Sequence, residues 1–170
     1  MLTQTSELAI RTLIFLALEG QGEPLSPRRI ALSMECSPSY LAKTVGLLVR
    51  AGVLRSIRGS AGGVLLTRTP QEIRLLDVVE ACQGLITAQY CEGADGEAEV
   101  CSFHQAMLEL HETTVGALAR WTLMDLLACP ANPDGTEHGC RMVFSGCEKH
   151  CKRNAKSIQM KNGKFNNKGQ

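Results

Sequence analysis

Residues 36–66 read CSPSYLAKTVGLLVRAGVLRSIRGSAGGVLL, and this stretch decides the fold. Ser37 suits the N-cap of a helix, and Pro38 follows at the first helical position, where its missing N–H costs nothing. Apolar side chains then recur at helical spacing until Gly52, a residue that favours the end of a helix. The pattern therefore predicts a helix over residues 38–51.

Two short β-rich runs follow this helix, at residues 53–57 and 64–66. The segment between them is rich in glycine, which allows the positive φ angles of a hairpin tip. Arginines at positions 55 and 58 make the hairpin basic. A helix followed by a basic hairpin is typical of the DNA-reading half of a winged helix, so we predict a mainly α protein with a small β-hairpin wing.

The segments on either side of this stretch are also helical in pattern. Residues 8–18 carry an apolar stripe at helical spacing, and Ser26 with Pro27 predicts the start of a short helix. Two short helices joined by a tight turn form a helix-turn-helix, whose second helix lies in the major groove of DNA. After the wing, residues 73–82 predict a further amphipathic helix that ends at Gly84.

The pattern of residues 101–127 predicts one long helix. Five side chains share one stripe of it, namely His104, Leu108, His111, Val115 and Leu118. At 1.5 Å per residue such a helix reaches about 40 Å, which is too long for one small domain to cover. We expect a second copy of the chain to cover it, and we expect Thr122 to start a new helical turn near its end.

These elements divide the chain into four predicted parts. A winged-helix DNA-binding domain occupies residues 1–84, and a cysteine-bearing sensor loop occupies residues 85–100. A dimerisation helix at residues 101–128 precedes a basic, cysteine-containing tail at residues 129–170, whose composition predicts flexibility. Residues 1–68 carry eight Lys or Arg against four Asp or Glu, a positive balance that favours a nucleic-acid partner.

The composition excludes several classes of protein. No apolar run approaches the roughly 20 residues of a membrane span, and residues 8–18 lack the basic start and cleavage site of a signal peptide. We therefore expect a cytoplasmic protein, in which eight cysteines bind metal, sense redox state or are inert more often than they form structural disulfides. The sequence contains no nucleophile elbow, P-loop or metalloprotease motif, so we predict no enzymatic activity.

Basic and polar side chains gather on the predicted helix and wing. Arg58, beside the glycine-rich tip, is suited to enter a minor groove, whose narrow geometry attracts guanidinium groups. Lys43, with Ser39 and Tyr40, is the better candidate for the base edges in the major groove. The predicted DNA contacts are Ser39, Tyr40, Lys43, Arg50, Arg55, Arg58 and Gly59, with Arg68 as a further source of charge near the wing. A solvated basic surface on a protein–protein module is the alternative.

Cysteine and histidine residues beyond the wing form two groups. The first is Cys91-x9-Cys101-x2-His104, whose thiolates and imidazole could bind iron or zinc; in the alternative, His104 belongs to the dimer stripe. The second group has no paired CxxC spacing, so we favour no metal there; its members are Cys129, His138, Cys140, Cys147, His150 and Cys151. Cys36 and Cys82 lie in or beside helices, where buried, unreactive thiols are expected.

The order of these motifs resembles the winged-helix repressor family typified by IscR and NsrR. The residues that carry the resemblance are Ser6-Glu7 with Arg11, residues 37–41, Arg58-Gly59 with Gly62-Gly63, residues 73–79, Cys101-x2-His104 and residues 122–126. The resemblance covers about residues 1–127 and implies homodimers that bind an imperfect palindrome in double-stranded DNA. In many members it also implies an iron–sulfur cluster that senses iron, nitric oxide or redox state.

The resemblance also implies the cluster ligands. Family members commonly use three loop cysteines, together with a histidine or with an acidic residue near the N-terminus of the partner. Cys91 matches the first cysteine and Cys101 matches the last, but no middle cysteine exists. His104 matches the histidine, and Glu7 matches the acidic residue. A [2Fe–2S] cluster with two non-thiol ligands therefore fits better than a [4Fe–4S] cluster.

We therefore predict a homodimeric, sequence-specific transcriptional regulator whose affinity for its operator is controlled by an iron–sulfur cluster. Two alternatives stay open. A regulator of the same fold could respond through thiol oxidation or zinc without a cluster. In a different class, the chain could be a cysteine-rich carrier of electrons or clusters.

Overall fold

The computed structural model describes residues 2–59, 62–87 and 101–128. Within these ranges the chain forms six helices and one two-stranded antiparallel sheet. In chain order the elements are α1 (Gln4–Glu19), α2 (Pro27–Ser33), α3 (Pro38–Arg50), β1 (Leu54–Ile57), β2 (Gly63–Leu66), α4 (Leu75–Gln83), α5 (Ser102–Arg120) and α6 (Leu123–Leu127). No helix of the described part is long and apolar enough to cross a membrane. The mainly helical architecture with a small hairpin confirms the predicted fold class.

Two Ser-Pro pairs set the starts of α2 and α3. The Ser26 side chain accepts a hydrogen bond from the Arg29 N–H at 3.3 Å, and Ser37 Oγ accepts one from the Tyr40 N–H at 3.2 Å. Each bond satisfies a backbone donor that the first turn of a helix leaves without a partner. Glu35, with a φ of 52°, turns the chain between the two helices. Both predicted helix starts are therefore confirmed.

The wing is a hairpin that a third segment extends. β1 and β2 pair in antiparallel register, with Ile57 opposite Gly63 beside the tip. Leu25, just before α2, exchanges two backbone hydrogen bonds with Val64 on β2, at 3.0 and 2.9 Å. These bonds attach the wing to the segment that leads into α2, so the hairpin and the helix-turn-helix are held together.

Gly63 should not tolerate a larger residue. A β-carbon at this position would collide with the backbone carbonyl of Leu25. Gly63→Ala should therefore lower the free energy of unfolding by about 1–3 kcal/mol, the usual cost of overpacking, in a urea titration. Gly46→Ala in α3 is the matched control, because among the described residues a β-carbon there meets no atom within 4 Å beyond the adjoining helix backbone, and alanine favours a helix. Equal losses of stability in both variants would argue against this close approach.

The segment at residues 101–127 breaks in two, so the prediction of one continuous helix is wrong. α5 ends at Arg120, Trp121 is extended, and α6 begins after Thr122. Thr122 and Asp125 exchange hydrogen bonds as a capping box, which confirms the predicted new helical start. These bonds from Thr122 also hold the pKa of the Asp125 carboxyl below its ordinary value.

The break has a long-range cause. The Leu75 N–H donates to the Trp121 carbonyl at 2.9 Å, and the Leu123 N–H donates to the Ile73 carbonyl at 2.8 Å. This antiparallel bridge returns the chain to the segment that precedes α4. Leu123 is then 1% exposed, in the same hydrophobic cluster as the inner faces of α1 and α3. α6 therefore belongs to the core of the winged helix rather than to an extended arm.

Candidate functional site

α3 has one face in the core and one in solvent. A buried apolar row that includes Leu41 and Leu48 forms the inner face. Ser39, Lys43 and Arg50 are exposed, and intervals of four and seven residues bring them onto one outer face. The second helix of a helix-turn-helix presents such a face to the major groove.

The wing adds two cations to this surface. Arg55 on β1 and Arg58 after it are exposed, and Gly59 turns the chain with a φ of 116°. No carboxylate of the described residues forms an ion pair with Lys43, Arg50, Arg55 or Arg58. These four charges are therefore available to neutralise phosphates.

Arg68, in contrast, already has acceptors within the chain. Its Nη1 lies 3.4 Å from Asp77 Oδ2 and donates to the Glu72 carbonyl at 3.4 Å. A phosphate contact would have to compete with these groups. Arg68 is therefore a weaker candidate for a DNA contact than the arginines of the wing.

Tyr40 differs from its exposed neighbours on α3. Its side chain is half-buried and packs against the hydrophobic core. The phenolic oxygen lies 3.2 Å from Thr5 Oγ1 on α1, within hydrogen-bond distance. The hydroxyl that was expected at a base edge is thus bonded inside the protein.

Cys101 is the N-cap of α5. Its Sγ accepts a hydrogen bond from the His104 N–H at 3.4 Å, and the thiol is exposed and free. His104 is half-buried, and Glu7 is exposed in the first turn of α1. An exposed thiol with an imidazole one turn away is a donor set that suits iron or zinc. Cys91, the other predicted thiol ligand, lies outside the described residues.

No group of three His, Cys, Asp or Glu side chains within the described residues is arranged to hold a metal ion. The predicted ligand set draws on Cys91 and on a second chain, so the described residues of one chain do not contain it. The second predicted group, from Cys129 to Cys151, also lies outside them.

The two remaining cysteines of the described residues, Cys36 and Cys82, are free thiols that are half-buried rather than fully buried as expected. Burial raises the pKa of the Cys82 thiol above its ordinary value. Burial also raises the pKa of Cys36, although the positive charge of Arg11 opposes part of the rise. Because the thiolate is the reactive form, both thiols fit the unreactive role that was expected of them.

α5 carries two rows of largely apolar side chains, of which the sequence pattern predicts one. The predicted stripe, from His104 to Leu118, is half-buried within the chain. Phe103 and Leu110 remain 62% and 55% exposed, and Trp121, just after the helix, is 46% exposed. Phe103 and Leu110 are seven residues apart and share one face of α5. The same apolar spacing, shifted by one residue, would have revealed this exposed row.

Comparison with known proteins identifies the family. Residues 2–129 match the Rrf2 model, described as an iron-dependent transcriptional regulator. The HTH-type transcriptional regulator NsrR of Geobacillus kaustophilus is 32% identical over 130 residues, which cover 74% of this chain and 88% of that protein. The regulator IscR of Serratia proteamaculans is 30% identical over 128 residues, covering 74% and 78%. Because these relatives are named as transcriptional regulators, the prediction that the chain is not an enzyme is confirmed.

A solved structure gives the same result for the fold. CymR, the global cysteine regulator of B. subtilis, superposes with a TM-score of 0.63 at 26% identity, covering 74% of this chain and 95% of that one. The match includes the mainly helical architecture and the small antiparallel wing described above. The chain therefore belongs to the Rrf2 family and is a DNA-binding transcriptional regulator.

Proposed function

We propose that the chain acts as a homodimer that binds an imperfect palindrome in double-stranded DNA. The observation that carries this proposal is the set of cations on α3 and the wing that no described carboxylate neutralises. Lys43 would lie near base edges in the major groove, and Arg58 would enter the adjacent minor groove. Arg50 and Arg55 would neutralise phosphates, and Gly59 would allow the wing backbone to approach the DNA closely.

Arg58→Ala and Lys43→Ala should weaken DNA binding in different ways. Arg58→Ala should lower the preference for A·T-rich positions beside each half-site, because a wing arginine senses groove width. Lys43→Ala should change the preference within the half-site. Each loss should correspond to about 1–3 kcal/mol if the side chain reads sequence. Selection from random-sequence duplexes, followed by fluorescence anisotropy, measures both effects.

Arg120→Ala is the matched control for these variants. Arg120 is an exposed arginine on α5 that forms no ion pair with the described residues. Its replacement removes the same charge away from α3 and the wing, so base preference should not change. Equal losses on selected and random DNA from the two test variants would show that neither Arg58 nor Lys43 reads sequence.

The dimer in this proposal forms through α5. Phe103, Leu110 and Trp121 are large apolar side chains that the single chain leaves exposed, and such groups favour an interface. A twofold axis would bring the same face of α5 from each chain together, as a homodimer requires. This exposed row lies about 100° around α5 from the half-buried stripe that the sequence predicted as the dimer contact, so the proposed interface moves to the exposed row.

The sensor in this proposal is an iron–sulfur cluster held by Cys91, Cys101 and His104, with Glu7 of the partner subunit. The exposed Cys101 thiol supports it, and so does the similarity to the relatives named IscR and NsrR. When bound, the cluster would supply a centre that reacts with nitric oxide or changes oxidation state. We favour [2Fe–2S] over [4Fe–4S] because residues 85–100 contain only one cysteine.

Anaerobic purification followed by absorption spectroscopy and iron and sulfide analysis tests this sensor. Protein that is coloured and contains both elements supports the proposal. Colourless protein without iron, obtained under conditions in which the fold is intact by circular dichroism, would argue against it.

A cluster-free thiol regulator of the same fold is the second candidate. The exposed, free thiol of Cys101 favours it, because such a thiol is open to oxidants. Colourless protein whose DNA affinity changes with peroxide, but not after Cys101→Ser, would support this candidate. A zinc-responsive regulator would instead be colourless and change its affinity with zinc. The names of the relatives favour any of these regulators over a carrier of electrons or clusters.

A further inference from the structure

We propose that Tyr40 is a positioning residue, which fixes the recognition helix α3 on α1 through Thr5 and does not itself read a base. This inference rests on the proposed DNA-binding role of α3. It reassigns a side chain that the sequence pattern groups with the DNA contacts.

The geometry separates Tyr40 from the residues beside it. Ser39 and Lys43 are exposed, whereas the ring of Tyr40 is half-buried against the hydrophobic core. The phenolic oxygen and Thr5 Oγ1 lie 3.2 Å apart, and each can act as the donor. A hydroxyl bonded to α1 would have to give up this bond to reach a base edge.

The first turn of α1, to which Tyr40 is bonded, is itself held in place. Thr3 caps it by accepting a hydrogen bond from the Ser6 N–H at 3.2 Å. The fully buried Ser6 hydroxyl donates to Gln83 Oε1 on α4 at 3.0 Å, and the same oxygen accepts from the Thr3 N–H at 3.4 Å. Thr5 is therefore part of a turn that is fixed to α4 on one side and bonded to α3 on the other.

The position of this bond along α3 determines its consequence. Tyr40 lies in the first turn of α3, and the N-terminal residues of a recognition helix are those that approach base edges. A bond at this end limits how far Ser39 and Lys43 can move relative to the groove. Loss of this hydrogen bond should weaken DNA binding, because α3 would then become fully ordered only when it binds DNA, and that ordering costs free energy. The identity of the preferred bases should not change, since no reading group is removed.

A double-mutant cycle on the full chain tests the proposal. The variants are Tyr40→Phe, Thr5→Val and the double variant, and the probe is the duplex that the wild-type protein selects from a random pool. Each single variant should lower affinity about threefold to tenfold, as expected for one hydrogen bond, and the double variant should lose no more than either single variant. Base preference, measured by repeating the selection, should stay that of the wild type. Thr5→Ser, which keeps the hydroxyl, should bind the duplex with the affinity of the wild type.

Two outcomes would overturn the proposal. In the first, Tyr40→Phe changes base preference while Thr5→Val has no effect, which would make Tyr40 a reader. In the second, neither variant changes affinity.

Hydrogen exchange in the free protein gives a readout that does not depend on DNA. The backbone amides of the first turn of α3 should exchange faster in both single variants, and to the same extent, but not in Thr5→Ser. If the protein selects no sequence, the proposed function fails, and the exchange rates still decide whether Tyr40 and Thr5 hold α3. Unchanged exchange rates would overturn the inference.

Discussion

Leu110→Glu is expected to convert the proposed homodimer into monomers and to lower the affinity for palindromic DNA by about a hundredfold or more. Leu110 is 55% exposed on α5, so a glutamate there leaves the fold of the single chain intact. Across a twofold axis the substitution occurs twice, and each carboxylate would have to lose its water inside an apolar interface. A chain bound to one half-site then no longer holds a second chain at high effective concentration beside the other half-site.

Sedimentation velocity at micromolar concentration measures the change in oligomeric state. Anisotropy with duplexes that carry one or two half-sites measures the change in DNA affinity. Gln105→Glu is the matched control, because it adds the same charge at an exposed position on the other side of α5. If Leu110→Glu stays dimeric and binds the palindrome normally, the exposed row on α5 is not the interface.

If Cys101 binds the proposed cluster, Cys101→Ser is expected to abolish the visible absorbance that the cluster gives, together with the bound iron and sulfide, while α5 stays folded. A serine at this position can accept the His104 N–H bond that Sγ accepts in the wild type, and serine is a strongly preferred N-cap. A loss of colour would therefore report the loss of a ligand rather than of a helix. By linkage, the affinity for operator DNA should shift by the coupling free energy, typically about 1–3 kcal/mol.

Cys82→Ser is the control for this substitution. Cys82 is a half-buried thiol on α4 and is not among the proposed cluster ligands, so its replacement should leave the colour unchanged. Far-ultraviolet circular dichroism checks that both variants keep their helices. Colour that persists in Cys101→Ser but disappears in the double variant Cys147→Ser, Cys151→Ser would assign the cluster to the C-terminal cysteines.

The helix-turn-helix could be predicted from the sequence because its signals are local. Ser26 and Ser37 each accept a hydrogen bond from the backbone N–H three residues later, so the residues that start each helix lie close together in the chain. The exposure of Lys43 and Arg58 follows from the same short-range pattern of apolar and polar residues. For this reason both the fold and the cationic face of the candidate site could be predicted from the sequence alone.

Contacts between distant residues could not be predicted in this way. The end of α5 depends on the bridge from Trp121 to Leu75, and no periodicity within residues 101–127 contains that bridge. The Tyr40 hydroxyl is within hydrogen-bond distance of Thr5, a residue 35 positions away. The local sequence around a tyrosine is the same whether its hydroxyl bonds to a DNA base or to a neighbouring helix, so the sequence could not distinguish the two. The seven-residue spacing of Phe103 and Leu110 can be recognised in the sequence, but only the structure shows that the chain leaves both side chains exposed.

The return of the chain at Leu123 places the end of α4 and the start of α6 on one core. α5 is consequently a lever with two attachments, one through its contacts with α4 and one through the bridge that joins Trp121 to Leu75. A change in the angle between two such levers in a dimer would act on each DNA-binding domain through a short, hydrogen-bonded hinge. In the proposed dimer, the stiffness of that hinge would thus govern the distance between the recognition helices, and with it the half-site separation that the protein can span.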